Sequence, residues 1–300
     1  MPAPLLARDD MRTLERLSLA SLEALVAGLV GRRQGPGHSA GFEFTDYRRY
    51  SPGDDIRRID WNVYARLHEL HITTAPDETR LWLSVLVDTS SSMDSGTPSK
   101  LRWSRRLAAL LAAVAVLRDD EVEVHGLSDG TSVSGGSFSG GTGVLNALVA
   151  ELQRMPAGRM TTLDRSIRRA ARSGRQPEMA VLISDGLVPA SDRADAIAEL
   201  ARSARSTVLV HIGSAAEAAA GPAGSVVLLD SETGERVTAT ITADVQARYA
   251  ARYAAFLAEV QKQCAARGVR YVHADATVDP LELLLDGARD GRLVRSGPLG

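Results

Sequence analysis

LWLSVLVDTSSSMD, residues 81–94, runs a nearly unbroken apolar stretch into one aspartate and then into four hydroxyl side chains. Eight residues with so little polar alternation read as a strand buried on both faces, as in a parallel sheet covered by helices. The aspartate and hydroxyls at its end admit three readings: a nucleophile, an oxygen cage for a metal, or a turn that stops the strand.

The segments on either side decide the fold class. KLRWSRRLAALLAAVAVLR (100–118) has a helical stripe of Leu107, Leu110, Leu111, Val114 and Leu117. Strands are expected at 121–128, at 178–185 (EMAVLISD), at 206–213 and at 268–276, with a weak edge strand at 131–138. Helices are expected at 143–155, 162–173, 190–204, 243–267 and 279–288, and a hairpin inserts at 226–241 around ETGE. Such alternation predicts an α/β fold, a Rossmann-like, doubly wound and mostly parallel sheet with helices on both faces. Before it come an N-terminal helix over 11–30, expected to dock on the main body, a Gly-rich loop at 31–40, and a β-rich stretch at 41–80. The expected divisions are 1–40, 41–80, 81–288 and a tail at 289–300.

Composition narrows the function. With 35 basic against 37 acidic residues the formal charge is −2, which argues against nucleic acid or an anionic membrane as the main partner. All but two of the basic residues are arginine, the lysines being Lys100 and Lys262. One cysteine, Cys264, rules out a disulfide within the chain and a cysteine zinc site, and reads as a small core residue. MPAPLLARDD lacks the basic-then-apolar form of a signal peptide, and 19–30 is too short to span a bilayer, so a cytoplasmic protein is expected.

Ligands of open α/β sheets bind outside the carboxyl ends of the strands, at the switch point. Two apolar strands end there in aspartate, Asp88 and Asp185, and a carboxylate at the end of a hydrophobic strand is costly unless paired or bound to a cation. Ser90 and Ser92, at i+2 and i+4 from Asp88, complete D-x-S-x-S, an all-oxygen set suited to magnesium or manganese. No cysteine and no nearby histidine are available for zinc. HGLSDG (125–130) contains G-x-S-x-G around Ser128, but the stretch after it is not helical, as a nucleophile elbow requires. An aspartyl-phosphate site would want an acid where Ser90 stands, and no phosphate-binding loop for ATP is present. His211 reads as a core histidine, and His68 and His71 as structural.

DTSSSM followed by a hydroxyl loop and a strand-ending SDG resembles the metal-ion-dependent adhesion site of von Willebrand factor A domains. That resemblance implies Mg²⁺, with Mn²⁺ as substitute, held by Asp88, Ser90, Ser92, a threonine and Asp185. Thr142 in GGTGVLNAL mimics the family's G-G-T, but Thr161, directly before a helix and the 178–185 strand, is the chosen ligand, with Thr162 the alternative. GFEFTDYRRYSPGDDIRRIDWNVYAR (41–66) further resembles the signature of a bacterial von Willebrand A-like family known as domain of unknown function, family fifty-eight. The matching positions include Arg48, Tyr50, Gly53, Asp54, Asp55, Arg58, Asp60, Trp61 and Arg66. Their mixed charges read first as an intramolecular network and second as a docking surface. Members of that family are commonly encoded beside MoxR-type AAA+ ATPases. The resemblance therefore implies a non-enzymatic, metal-dependent protein-interaction module, an adaptor or co-chaperone whose partner is such an ATPase or another protein offering an acidic residue; the alternatives are a metal-assisted hydrolase and a scaffold with an empty metal site.

Overall fold

The computed structural model describes residues 4–15, 46–50, 64, 69–74, 81–94, 98–117, 119–128, 131–138, 141–158, 162–171, 176–214, 217–229 and 234–290. The chain divides into two compact units, 33–80 and the remainder. In the smaller unit, β1 (Asp46–Arg49) pairs antiparallel with β2 (His71–Thr74), and the Tyr50 N–H extends the ladder to the Leu70 carbonyl at 2.9 Å. Gly53, Asp54, Asp55, Arg58, Asp60, Trp61 and Arg66 lie outside the described residues, as does the side chain of Arg48.

The larger unit is built on a six-stranded sheet. Its strands are β3 (Trp82–Asp88), β4 (Glu121–Ser128), β5 (Thr131–Phe138), β6 (Met179–Ser184), β7 (Ser206–Gly213) and β10 (Arg270–Asp275), in the order β10-β7-β6-β3-β4-β5. All neighbours are parallel except β5, which returns antiparallel along β4 at one edge. The class expected from the alternation is therefore the one observed, a doubly wound, mostly parallel α/β sheet. The 131–138 strand lies at one edge of this sheet, as expected, and β10 at the other.

Side chains of β3 and β6 alternate between two cores. Val85, Val87, Val181 and Ile183 face one; Leu86, Ala180 and Leu182 face the other. The first core is closed by α2 (Lys100–Leu117), α3 (Gly141–Arg154) and α7 (Pro280–Asp290), the second by α4 (Leu163–Ala170), α5 (Ala190–Ser203) and α6 (Ala243–Ala266). Helix α2 buries 14 of its 18 residues, not one stripe. Its run of alanines from Ala108 to Ala115 is small enough for neighbours to approach from the flanks as well as from the sheet. Among those neighbours is the helical stretch 8–15, whose Leu14 is buried in this core and whose Asp10 pairs with Arg106 of α2 at 2.9 Å. The rest of the 11–30 helix expected from sequence lies outside the described residues. The 226–241 insertion is a two-stranded hairpin, β8 (Gly224–Leu229) with β9 (Arg236–Ile241). No helix among the described residues is long and apolar enough to cross a membrane.

Candidate functional site

Strand β3 sits between β4 and β6, and the chain leaves it toward β4 on one side and reaches β6 on the other. The carboxyl ends of β3 and β6 therefore form the switch point of the sheet. Asp88 closes β3, Asp185 follows β6, and both are buried, at 1% and 2% exposure.

Asp88 is held on both oxygens. Its Oδ1 accepts the Ser90 N–H at 2.9 Å, and its Oδ2 accepts the Ser184 hydroxyl at 2.6 Å. Ser184 in turn accepts the Gly186 N–H at 3.0 Å, while Asp185 Oδ1 accepts the Leu187 N–H at 3.1 Å. The chain turns at Gly186 with φ +62°, a backbone that side chains other than hydrogen resist. Burial, and then the negative charge of Asp185, push the Asp88 carboxyl up to about 6, although its hydrogen bonds pull the other way. Asp88 thus sits where negative charge is in excess.

The hydroxyls divide by task. Ser90 and Ser92 are buried, with their Oγ atoms 3.0 Å apart, and residues Ser91–Asp94 form a short helix, α1. Thr89 faces the other way, donating its hydroxyl to the Leu127 carbonyl of β4 at 2.9 Å. Ser91 donates to the Gly158 carbonyl at 2.8 Å, and the Gly158 N–H donates to the Thr89 carbonyl at 2.5 Å. The 155–158 stretch is thereby pinned to the hydroxyl loop only three residues before Thr161. Thr161 itself lies outside the described residues. Thr162 is exposed and precedes α4, and Thr142 opens α3.

Two residues that sequence reasoning had not assigned complete the site. The Lys100 ammonium, 1% exposed at the start of α2, lies 2.7 Å from Asp185 Oδ2 and also bonds Glu217 Oε1. Burial pulls Lys100 down, but Asp185 and then Glu217 outweigh it and hold the ammonium above lysine's ordinary range. The available signal for Lys100 was its rarity, a lysine kept in a chain that otherwise uses arginine. Glu217 carried no sequence signal. His211 is also nearer than expected, because Ser184 of β6 is in register with His211 of β7. Its Nε2–H donates to the Asp185 carbonyl and its Nδ1 accepts the Tyr271 hydroxyl, both at 2.7 Å, so neither nitrogen is left for a metal.

Among the described residues no group of three or more His, Cys, Asp or Glu converges on one point. The donor set is instead two carboxylates, Asp88 and Asp185, beside the neutral hydroxyls Ser90 and Ser92. This all-oxygen chemistry fits magnesium. The charges fit as well. Asp88, Asp185 and Glu217 against Lys100 sum to −2, which one divalent cation neutralises. The G-x-S-x-G around Ser128 falls at the end of β4, and the chain continues into antiparallel β5. A nucleophile elbow needs a helix there.

The family model described as "Protein of unknown function DUF58" matches residues 46–259. The chain is 30% identical over 232 residues to uncharacterized protein Rv1480 of Mycobacterium tuberculosis and to uncharacterized protein Mb1516 of Mycobacterium bovis. Each match covers 75% of this chain and 70% of the relative. Among solved structures, BatB from Bacteroides thetaiotaomicron is similar at 15% identity and TM-score 0.42, covering 70% of this chain and 98% of that one. The von Willebrand factor type A from Catenulispora acidiphila is similar at 17% identity and TM-score 0.42, covering 71% and 42%.

Proposed function

We propose that this chain, which belongs to the DUF58 family, is a non-enzymatic protein-interaction module that engages an acidic side chain of a partner through Mg²⁺ at the carboxyl edge of its sheet. The observation that carries this reading is the convergence of Asp88 and Asp185, buried together at the switch point with the Ser90 and Ser92 hydroxyls alongside. Asp88, Ser90, Ser92, Asp185 and Thr161 would hold the ion, directly or through water, with Mn²⁺ able to replace it.

When bound, the ion would supply a hard, oxygen-seeking centre whose shell the chain's two carboxylates and neutral hydroxyls do not fill, so that a carboxylate from outside the chain could enter it. The residues of the chain then have separate duties. Ser184 and the Ser90 N–H orient Asp88, the Leu187 N–H and Lys100 orient Asp185, and Thr89 and Ser91 anchor the loop. The partner is a MoxR-type AAA+ ATPase, for which the chain acts as adaptor or co-chaperone in the cytoplasm.

A pull-down of a MoxR-type ATPase from the same organism with the full chain, in Mg²⁺ and then in EDTA, tests this. Recovery is expected in Mg²⁺ and is lost in EDTA and in Asp88→Ala, while the circular dichroism of the variant is unchanged. Equal recovery with and without the metal would sink the bridged reading.

A further inference from the structure

We propose that Lys100 sets the divalent-cation affinity of this site, as a tethered ammonium that competes with the metal for Asp185 while Glu217 draws it the other way. This rests on the metal-site reading above and adds to it the residues that tune it.

Three observations carry the assignment. Lys100 stands at the first position of α2, where the helix dipole places partial positive charge and a cation is disfavoured. It is buried there to 1% exposure, and its ammonium lies against Asp185 Oδ2 at 2.7 Å. A cation placed against local preference and out of water is explained by the charge it faces. An ammonium is also a compact point charge, closer to a metal ion in form than the planar guanidinium this chain uses elsewhere.

Second, Glu217 is fixed independently of Lys100. Its Oε2 accepts the Ser214 N–H at 3.1 Å, its own N–H donates to Ser214 Oγ at 3.3 Å, and its carbonyl accepts the Tyr249 hydroxyl at 2.8 Å. At 27% side-chain exposure it is the solvent-facing member of the chain of charges running Glu217, Lys100, Asp185. Lys100 therefore has a second carboxylate already in place to receive it when Asp185 turns to a metal.

Third, the charges set the direction of each change. With Lys100 present the cluster carries −2; without it the cluster carries −3, and without the Glu217 charge it carries −1. A unit charge within about 5 Å of a divalent ion in a protein site shifts binding by more than tenfold. Lys100 thus weakens the site for free metal, so that an acidic partner's charge is needed to complete it.

The test is calorimetric titration of MgCl₂ and MnCl₂ into the full-length wild type, Lys100→Met, Lys100→Gln and Glu217→Gln, together with melting temperatures in Mg²⁺ and in EDTA. Both Lys100 variants are expected to bind Mg²⁺ at least tenfold more tightly than wild type, with a wider gap between the two melting temperatures. Glu217→Gln is expected to bind at least threefold more weakly, and it carries the test alone should both Lys100 variants fail to fold. Folded Lys100 variants that bind no tighter, or a Glu217→Gln that binds tighter, would overturn the assignment. Equal Mg²⁺ affinity across all four proteins removes the role of Lys100 and leaves the metal-bridged reading standing. No Mg²⁺ binding by any of the four folded proteins removes the metal-site reading and the assignment with it, whereas a silent wild type beside a Lys100→Gln that binds upholds the assignment.

Discussion

Asp88 and His211 stand two strands apart, on either side of β6, and have opposite electrostatic habits. Burial and Asp185 raise the Asp88 carboxyl to about 6, and burial, with His273, lowers His211 to about 4. A carboxyl raised in the fold contributes stability that is complete below its unfolded value near pH 4 and lost as pH rises to 6. An imidazole lowered in the fold does the reverse: its contribution is complete above about pH 6.5 and lost as pH falls to 4. Each shift corresponds to roughly 3 kcal/mol at about 1.4 kcal/mol per pKa unit. Between pH 4 and 6.5 the two slopes oppose one another. Urea unfolding in EDTA is therefore expected to show Asp88→Asn gaining stability over wild type as pH rises, by up to about 3 kcal/mol at pH 7. His211→Gln, whose amide can still donate to the Asp185 carbonyl and accept from Tyr271, is expected to gain over wild type as pH falls through the same window. A difference profile that is flat for either variant would show that its partner contacts, and not its burial, govern its charge.

Between elements, α6 approaches the end of β7 closely near the site. Gly213 closes β7, pairs with Asp275 of β10, and accepts the Ala276 N–H on its carbonyl at 2.9 Å. A Cβ at Gly213 would lie 2.7 Å from the Tyr253 hydroxyl of α6 and 3.2 Å from His273 Nε2. Gly213→Ala therefore forces Tyr253 outward and is expected to cost about 1–3 kcal/mol, read as a fall of several degrees in melting temperature. Because the hydroxyl is the obstructing atom, Tyr253→Phe in the Gly213→Ala background is expected to restore part of the loss. No recovery there would place the strain in the backbone instead. The same packing explains why His211, Phe256 and Tyr271 form one aromatic cluster beneath Asp185, with ring centroids 5.4–5.7 Å apart around His211.

For the larger unit as a whole, Cys264 offers a single reporter. It is fully buried in the second core, on α6 itself, and burial pushes its thiol up to about 12. Neither access nor thiolate is available in the folded state. Reaction with a thiol reagent at pH 8 is expected to be slow, and to accelerate with denaturant in step with unfolding followed by circular dichroism. Labelling that is fast in native buffer would reveal a local opening of α6 from the sheet.

The apolar run 81–88 ending at Asp88, and its counterpart ending at Asp185, were readable as buried parallel strands because a strand covered on both faces must be apolar at nearly every position. From these the doubly wound class, the pairing of two aspartates at one sheet edge and the hydroxyl loop followed directly. The D-x-S-x-S spacing also singled out Ser90 and Ser92, whereas the anchoring of Thr89 to Leu127 and of Ser91 to Gly158 appears only in the fold. Contacts that join residues far apart in the chain had no such signature. Lys100 meets Asp185 and Glu217 across 85 and 117 residues, and His211 reaches the Asp185 carbonyl only because β7 lies in register beside β6. Helix α2 looked one-sided in its leucines, yet its alanines let helices pack on its flanks as well as the sheet beneath it. Periodicity records which face of an element is apolar. Which charge from another element stands opposite an aspartate depends on strand order and helix placement, and the charge balance of the site is settled there.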